Sequence, residues 1–277
     1  MSRLARLGAT LVRGTHLIDR AYQRFDRLRS LVVLAFASDR FLDAYSTLAY
    51  GSTAAYRADS PAFRQGLFAW ERQAITDFFP PPPARILIGG AGGGREAFGL
   101  LELGYSCVAF EPSRPLAASM RAKTDGTYGS SLRAYCAGYD DLPIMPPVFD
   151  PTPVDLRSDL PFDAAIIGWA SFSHIFDDAA RVKTLEQFGA LTRGPILVSY
   201  LSQQPPPNRT ESGRGLVSAL RRRAARRGAS MFTVAMGYCR LITEADLKAL
   251  CDRARLQIIH IDRDSPWPHA ILKSRND

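Results

Sequence analysis

The sequence predicts an α/β fold, with a seven-stranded, mostly parallel sheet that carries helices on both faces and a helical extension before it. Three observations support this prediction. After residue 80, near-continuous apolar runs alternate with helix-like segments, which is typical of parallel strands covered on both sides. Before residue 80, apolar side chains recur at three- and four-residue spacing without strand-like alternation. Four prolines, Pro80 to Pro83, separate the two patterns.

We therefore divide the chain into a helical extension over residues 1–80 and an α/β domain over residues 81–277. In the second part, the apolar runs predict strands over 85–89, 106–111, 132–136, 162–169, 195–201, 256–262 and 268–274. Helices are expected over 96–103, 114–123, 179–191 and 243–254. Thr243 is a suitable N-cap for the last of these helices.

The composition indicates a globular protein with free thiols. A chain of 277 residues with 46% hydrophobic content can bury one large core or two small ones. The cysteines are far apart, without a CxxC pair or a neighbouring histidine at ligand spacing. We therefore expect no metal site and no disulfide framework, but reduced thiols in a cytoplasmic protein. The apolar run over 31–37 is too short for a membrane span, so we expect none.

The net charge of +8 is unevenly distributed. Arginines are concentrated in the first thirty residues and again over residues 214–227. A basic balance is compatible with a nucleic acid, an anionic membrane or an acidic substrate as partner, and also with solvated helix faces. We interpret these arginines as solvated helix faces.

A glycine-rich turn is expected between the first strand and the first helix of the α/β domain, in "ARILIGGAGGGREAFGLL" (84–101). Glycines there allow positive φ and a close approach of the backbone to a ligand at the carboxyl end of the sheet. The dinucleotide fingerprint G-x-G-x-x-G fails in both registers, at Arg95 in one and at Ala91 in the other. The pattern that fits is G-x-G-x-G, formed by Gly90, Gly92 and Gly94.

An acidic residue, Glu111, ends the second predicted strand. The carboxyl ends of neighbouring parallel strands meet at one edge of the sheet, so this carboxylate is expected beside the glycine turn. There it can accept hydrogen bonds from both hydroxyls of a ribose, as the downstream acid of dinucleotide folds does.

With these motifs, the sequence resembles the class I S-adenosylmethionine-dependent methyltransferases over about residues 83–274. The similar segments are "ILIGGAGGG", Glu111 in "CVAFEPS", "GYDDLP" (138–143), "FDAAIIGWASFSHI" (162–175) and the closing helix and strands. The resemblance implies a Rossmann-like fold with an antiparallel terminal strand, and S-adenosylmethionine as cofactor. The cofactor contacts expected from the residues and the resemblance together are Gly90, Ala91, Gly92, Gly94, Arg95, Glu96, Glu111, Pro112, Tyr139, Asp140, Asp141 and Trp169.

One departure from the family pattern concerns the methionine end of the cofactor. The family usually has an acid two positions before the first glycine of its motif, where this chain has Ile88. The task of holding the ammonium group is therefore either dropped or moved elsewhere, and the candidates for it are the carbonyls of Gly89 and Gly90 or Glu96. Arg95 is expected either to meet the methionine carboxylate beside the helix N-terminus or to lie on the surface.

On the acceptor side, His174 follows the fourth strand and is the candidate general base, with a structural histidine as the alternative. The helical extension is expected to form a lid, with Tyr50, Tyr56, Phe63 and Trp70 available for an aromatic pocket. We expect O- or N-methylation of a small molecule, in specialised metabolism. The alternatives are an RNA or protein methyltransferase that uses residues 214–227, and a cofactor-binding protein without catalysis. The oligomeric state is left open.

Overall fold

The computed structural model describes residues 3–124, 128–159, 161–202, 215–263, 265 and 267–275. Within these residues the α-helices are α1 (Arg3–Phe36), α2 (Asp39–Ser52), α3 (Pro61–Arg64), α4 (Ala69–Phe78), α5 (Arg95–Glu102), α6 (Arg114–Lys123), α7 (Asp178–Leu191), α8 (Leu216–Ala224) and α9 (Glu244–Arg253). The strands are β1 (Arg85–Gly89), β2 (Ser106–Glu111), β3 (Leu132–Cys136), β4 (Ile144–Met145), β5 (Val154–Asp155), β6 (Ala164–Ile167), β7 (Ile196–Ser199), β8 (Ser230–Thr233), β9 (Gly237–Arg240), β10 (Leu256–Asp262) and β11 (His269–Ser274).

The central sheet has seven strands in the order β10-β11-β7-β6-β1-β2-β3. Strands β7, β6, β1, β2 and β3 run parallel to one another, whereas β11 is antiparallel to both β7 and β10. The predicted seven-stranded, mostly parallel sheet with an antiparallel terminal strand is thus confirmed. Because the strand order reverses beside β1, the carboxyl ends of β1, β2 and β6 surround one crevice, the usual ligand position in open α/β sheets.

Alternate side chains of the strands enter two apolar cores, one on each face of the sheet. On β1, Ile86 and Ile88 pack with residues of α4, α5 and α6, whereas Leu87 packs with residues of α7 and α9. All three side chains are fully buried. Helices therefore cover both faces, as the apolar strand composition predicts.

A third, smaller core joins the N-terminal helices to a hairpin that the sequence analysis does not predict. It contains Leu34 of α1, Leu42 of α2, Ala224 of α8, and Phe232 and Tyr238 of the β8-β9 hairpin. The hairpin is formed by two four-residue strands that pair antiparallel.

Most predicted boundaries in the α/β part agree with the structure to within one or two residues. Thr243 is the N-cap of α9, where its hydroxyl accepts the backbone N–H of Asp246 at 3.1 Å. The fourth strand of the sheet is shorter than predicted and ends at Ile167, because Ala170 turns the backbone into the left-handed region with φ 55°. None of the described helices combines the length and the apolar character needed to cross a bilayer.

Candidate functional site

The glycine turn between β1 and α5 has the backbone conformation that its glycines permit. Gly90, Gly92 and Gly94 have φ values of +64°, +56° and +96°, a region that residues with a Cβ rarely adopt. The N–H of Ala91 donates to the carbonyl of Phe110 at the end of β2, with a distance of 3.1 Å. The turn is thereby fixed against the neighbouring strand, at the carboxyl edge of the sheet.

Part of the glycine content is explained by the packing of the protein itself. A Cβ on Gly93 would lie 2.5 Å from the carbonyl oxygen of Tyr56 and 2.6 Å from the backbone nitrogen of Ala58. A Cβ on Gly92 would lie 3.3 Å from the ring of Phe63. The segment between α2 and α4 therefore lies directly against the turn, a contact that side chains on the turn would prevent.

Glu111 lies where the sequence predicts it, at the end of β2 beside the turn. One carboxylate oxygen, Oε2, accepts the N–H of Gly92 at 2.9 Å, and Oε1 accepts the N–H of Ser113 at 2.9 Å. Burial raises the pKa of Glu111 to about 7, although both backbone N–H groups lower it. The turn and the acid thus form one hydrogen-bonded unit with a carboxylate at its centre.

Arg95 does not have either of the positions expected for it. Its side chain is 2% exposed, so it is not a surface residue. Its Nη1 and Nη2 atoms donate to both carboxylate oxygens of Glu71 at 2.6 Å, to Glu96 at 2.8 Å and to the carbonyl of Gly66 at 3.0 Å. The guanidinium also lies 3.9 Å from the centre of the Phe68 ring. These protein groups occupy both Nη atoms, so the geometry gives no support to the expected contact with the methionine carboxylate.

Glu96 connects this ion pair to the end of β6. Its Oε1 accepts from Arg95 and from the backbone N–H of Trp169, the latter at 3.2 Å. Among the described residues, no donor is found for the other oxygen, Oε2. Gly168 lies between Trp169 and the turn, and its N–H donates to the carbonyl of Gly89 at 2.8 Å. The carboxylate therefore stands beside the carbonyls that end β1.

Tyr139, one of the expected cofactor contacts, is held by the protein itself. Its ring packs in the core, with centroids 5.5 Å from Phe110 and 6.2 Å from Phe188, and its hydroxyl is 2.5 Å from Oγ of Ser171. A Cβ on Gly89 would lie 2.7 Å from this ring, so the glycine makes room for the tyrosine.

Three other expected cofactor contacts lie around the carboxyl ends of β2 and β3. Pro112, Asp140 and Asp141 are exposed, and Asp141 accepts the N–H of Gly138 at 2.7 Å. The Cβ of Pro112 is 3.9 Å from the position that a Cβ on Gly138 would take. Pro112 and Gly138 are therefore neighbours at the sheet edge.

Trp169 is half-buried at the end of β6, in an aromatic group. Its ring is edge-on to Phe68 at 5.1 Å and to Trp267 at 4.7 Å. Its indole Nε1 is buried and has no hydrogen-bond partner among the described residues. An unpaired indole N–H is costly to bury, which makes it a donor for a ligand at this place.

His174 is held between the N-terminal helices and the β8-β9 hairpin. Its Nδ1 lies 2.7 Å from the carbonyl oxygen of Tyr238, and its Nε2 lies 2.8 Å from the hydroxyl of Tyr50. A carbonyl only accepts, so Nδ1 carries the proton and Nε2 accepts the Tyr50 O–H. Burial lowers the pKa of His174 to about 4, which keeps the imidazole neutral.

The roles of two polar residues in this region are not predicted from the sequence. Glu71 pairs with Arg95 across 24 positions of the chain, and no local pattern connects them. Tyr50 is predicted only as an aromatic wall, but its hydroxyl bonds the imidazole of a residue 124 positions later. One local signal for Glu71 exists, since it lies three residues after Phe68 and accepts that residue's N–H, as helix-start acids do.

No protein-family model matches the sequence, and no curated protein matches it. Solved structures do. An S-adenosylmethionine-dependent methyltransferase from Leishmania major is similar over 84% of this chain and 83% of that chain, with 15% identity and a TM-score of 0.56. The 1,6-didemethyltoxoflavin-N1-methyltransferase of Burkholderia thailandensis is similar over 86% of this chain and 92% of that chain, with 19% identity and a TM-score of 0.55. A methyltransferase from Methanosarcina mazei covers 76% of this chain and 99% of that chain, at 14% identity and a TM-score of 0.53. With its glycine turn, its strand order and these likenesses, the chain has the fold of the class I S-adenosylmethionine-dependent methyltransferases.

Proposed function

We propose that the chain transfers a methyl group from S-adenosylmethionine to a small-molecule acceptor, by O- or N-methylation. The observation that carries the proposal is the unit formed by Glu111 and the glycine turn at the carboxyl ends of β1 and β2. A buried carboxylate there suits the paired hydroxyls of a ribose. The Burkholderia neighbour was solved with 1,6-didemethyltoxoflavin and S-adenosylhomocysteine, which supports a small acceptor.

The charge of the buried groups also fits a cationic cofactor. Glu71, Arg95 and Glu96 are all buried, and with both carboxylates ionised they would carry one positive and two negative charges. Burial raises the pKa of Glu71, while its ion pair with Arg95 opposes that rise. A buried excess of negative charge is costly unless a cation compensates it. The α-ammonium of S-adenosylmethionine would supply that cation at Glu96, in place of the acid that is absent at Ile88.

The groups that would hold the cofactor are therefore Glu111 for the ribose, Glu96 with the carbonyls of Gly89 and Gly90 for the ammonium, and the sheet edge beside Pro112 and Gly138 for the adenine. When bound, S-adenosylmethionine supplies a methyl group that its sulfonium has already activated. The remaining work of the protein is to orient the acceptor, exclude water and accept a proton.

For the proton, we assign Tyr50 and His174 as a pair. The Nε2 atom of His174 is covered by the Tyr50 hydroxyl, so an acceptor meets the tyrosine oxygen first. Tyr50 would take the proton of the acceptor at its oxygen and pass its own proton to Nε2, and the imidazolium would keep its Nδ1–H on the carbonyl of Tyr238. The site loses the sulfonium charge as the imidazolium forms, so its net charge stays constant.

The covering of the site supports a small acceptor. Phe63 and the backbone of Tyr56 lie against the glycine turn, and Tyr50 packs on the Tyr56 ring. This aromatic covering supports a small molecule rather than a folded RNA or protein as acceptor. The basic segment proposed for those larger partners forms α8, while Arg214 lies outside the described residues. Two of its arginines, Arg223 and Arg227, donate to carbonyl oxygens at the end of α1.

The test of the cofactor assignment uses two ligands and one conservative variant. S-adenosylhomocysteine contains the amino acid part, whereas 5′-methylthioadenosine has the same nucleoside without it. We expect Glu96→Gln to weaken S-adenosylhomocysteine by about 10- to 100-fold, because a charge-assisted contact is lost. Binding of 5′-methylthioadenosine should stay within about twofold, since that ligand has no ammonium to lose. The matched control is Glu102→Gln, an exposed acid on the same helix.

Titration calorimetry separates the outcomes. If the unmodified protein binds neither ligand, the proposed function is wrong. If it binds both and Glu96→Gln weakens them equally or not at all, the ammonium site lies elsewhere. A labelled-methyl screen against metabolite extract, total RNA and total protein then identifies the acceptor class, and label in RNA or protein alone would overturn the small-molecule proposal.

A further inference from the structure

Helix α1 exposes a row of large apolar side chains. Every residue over 16–25 is exposed, so no other described part of the chain covers this stretch of the helix. The exposed apolar side chains are Leu17, Ile18, Tyr22, Phe25, Leu28, Val32 and Phe36, each with an exposed fraction between 40% and 71%. At 100° per residue they fall within an arc of about 140°. Exposed apolar surface of this extent marks an interaction site.

Arginines border this arc. Arg20, Arg24 and Arg27 are exposed and follow one edge of it along the helix. At the C-terminal end of the arc, Phe36 lines a surface cavity of about 450 Å³ together with Leu216, Arg222 and Arg226 of the α8 region. Leu216 is 78% exposed. The apolar arc of α1, its arginine edge and the residues of the α8 region that line this cavity form one continuous face, which we call the basic apolar face.

We propose that the basic apolar face binds an anionic lipid membrane, with α1 lying along the interface. A helix with Leu and Phe on one side and arginines beside them is the type that settles at the boundary of headgroups and acyl chains. The apolar arc would enter that boundary, and the arginines of α1 and α8 would meet acidic headgroups. The arginines by themselves would fit a solvated helix face. The exposed apolar arc does not fit one, because water does not favour seven large apolar side chains on one side of a helix.

Charge favours lipid over an antiparallel pair of copies of the chain. In an antiparallel pairing of two α1 helices, a two-fold axis sets the arginine edge of one helix against the same edge of the other. Like charges would then face each other, whereas acidic headgroups neutralise them. Nucleic acid would satisfy the arginines, but it offers nothing to seven apolar side chains.

The experiment is co-sedimentation of the full chain with vesicles of phosphatidylcholine and phosphatidylglycerol at a 7:3 ratio, compared with pure phosphatidylcholine. One variant removes apolar contacts (Ile18→Gln, Tyr22→Gln, Phe25→Gln), and a second removes charge (Arg20→Gln, Arg24→Gln, Arg27→Gln). The matched control makes the same charge change elsewhere (Arg64→Gln, Arg72→Gln, Arg157→Gln). Since the substituted side chains of both test variants are exposed, thermal unfolding should be unchanged and serves as the folding check.

We expect the full chain to bind the anionic vesicles only. Its affinity should fall at least tenfold in either test variant, stay unchanged in the control and weaken in 0.5 M salt. Each arginine near an anionic surface contributes about fivefold to the affinity. Absence of vesicle binding would overturn the proposal, and so would equal loss in the control. Sedimentation velocity supplies the other contrary result, a dimer that the apolar variant dissociates. RNA binding that the apolar variant retains would also count against it.

Discussion

The Glu111 carboxylate is held in a place that disfavours its charge. Two backbone N–H groups donate hydrogen bonds to it, yet burial still raises its pKa to about 7. A carboxyl group with a raised folded-state pKa contributes stability below its unfolded pKa, near 4.5, and that contribution is lost as the pH rises through the folded value. Without ligand, Glu111 therefore stabilises the fold least above pH 7, where its carboxylate is ionised and can accept hydrogen bonds from hydroxyl groups.

We expect the difference in unfolding free energy between Glu111→Gln and the parent to rise by about 3 kcal/mol between pH 4.5 and pH 8, in favour of the variant. The glutamine has no proton to lose and so has no such dependence. Urea unfolding across this pH series measures the difference. Parallel stability curves for the two proteins would show that Glu111 titrates normally.

At this scale the sequence is informative about single positions and less so about partners. Glu111 could be placed because a strand end and a preceding glycine turn fix where its Cα lies. Arg95 could not, since its position after the turn suggests an anion from a ligand, whereas its actual partner Glu71 belongs to a helix of the extension. The same holds for His174, whose location was predictable but whose two hydrogen-bond partners come from distant parts of the chain.

At the scale of elements, the glycine turn has two functions in the fold. Its positive-φ glycines shape the loop, but Gly93 has no positive φ and serves the contact with the segment that follows α2. That contact is made to backbone atoms of Tyr56, Arg57 and Ala58, which cannot move away as the end of a flexible side chain can. The turn thus fixes the N-terminal helices to the α/β part.

We expect Gly93→Ala to destabilise the protein by about 1–3 kcal/mol through overpacking, and to loosen residues 54–64. Hydrogen exchange localises the effect, with faster exchange in that segment and little change in β1 to β3. Gly14→Ala is the control, because a Cβ there meets nothing within 4 Å and lies in a helix interior. It should stabilise slightly. Unchanged exchange over 54–64 in Gly93→Ala would show that the segment is held elsewhere.

The elements of the sheet could be predicted because parallel strands covered on both faces are continuous apolar runs. The β8-β9 hairpin could not, since only one side chain of β8 is buried and its sequence is not such a run. Its stability comes from contacts outside itself. Tyr238 donates its N–H to Ser46 of α2, and Phe232 donates its N–H to Ser30 of α1.

On the scale of the whole molecule, these contacts bring α2 and the β8-β9 hairpin together at His174. Tyr50 comes from α2 and Tyr238 from β9, and the imidazole lies between them with both nitrogens occupied. Ser46, one turn before Tyr50, bonds the same tyrosine of the hairpin. The proposed base is thus assembled from three parts of the chain, and it depends on how the extension and the hairpin pack.

The pairing of Tyr50 with His174 predicts how turnover responds to substitution, once the methyl screen has identified an acceptor. Tyr50→Phe retains the ring and removes the hydroxyl, and His174→Gln retains a hydrogen-bonding group that cannot take up the proton. Each should lower kcat by about 10²- to 10⁴-fold with unchanged affinity for S-adenosylhomocysteine, because the general base is lost while the cofactor contacts remain. The double variant should be no slower than the slower single variant, since the two residues act as one unit.

The dependence of kcat on pH distinguishes this arrangement from a purely structural role. With both residues present, turnover should fall at acid pH as His174 takes up a proton, near its pKa of about 4. In His174→Gln this acid limb should disappear, whereas a variant that only disturbed packing would keep the limb at a lower rate. Additive losses in the double variant together with an intact acid limb would mean that Tyr50 and His174 support the fold of the site and that the acceptor loses its proton to another group.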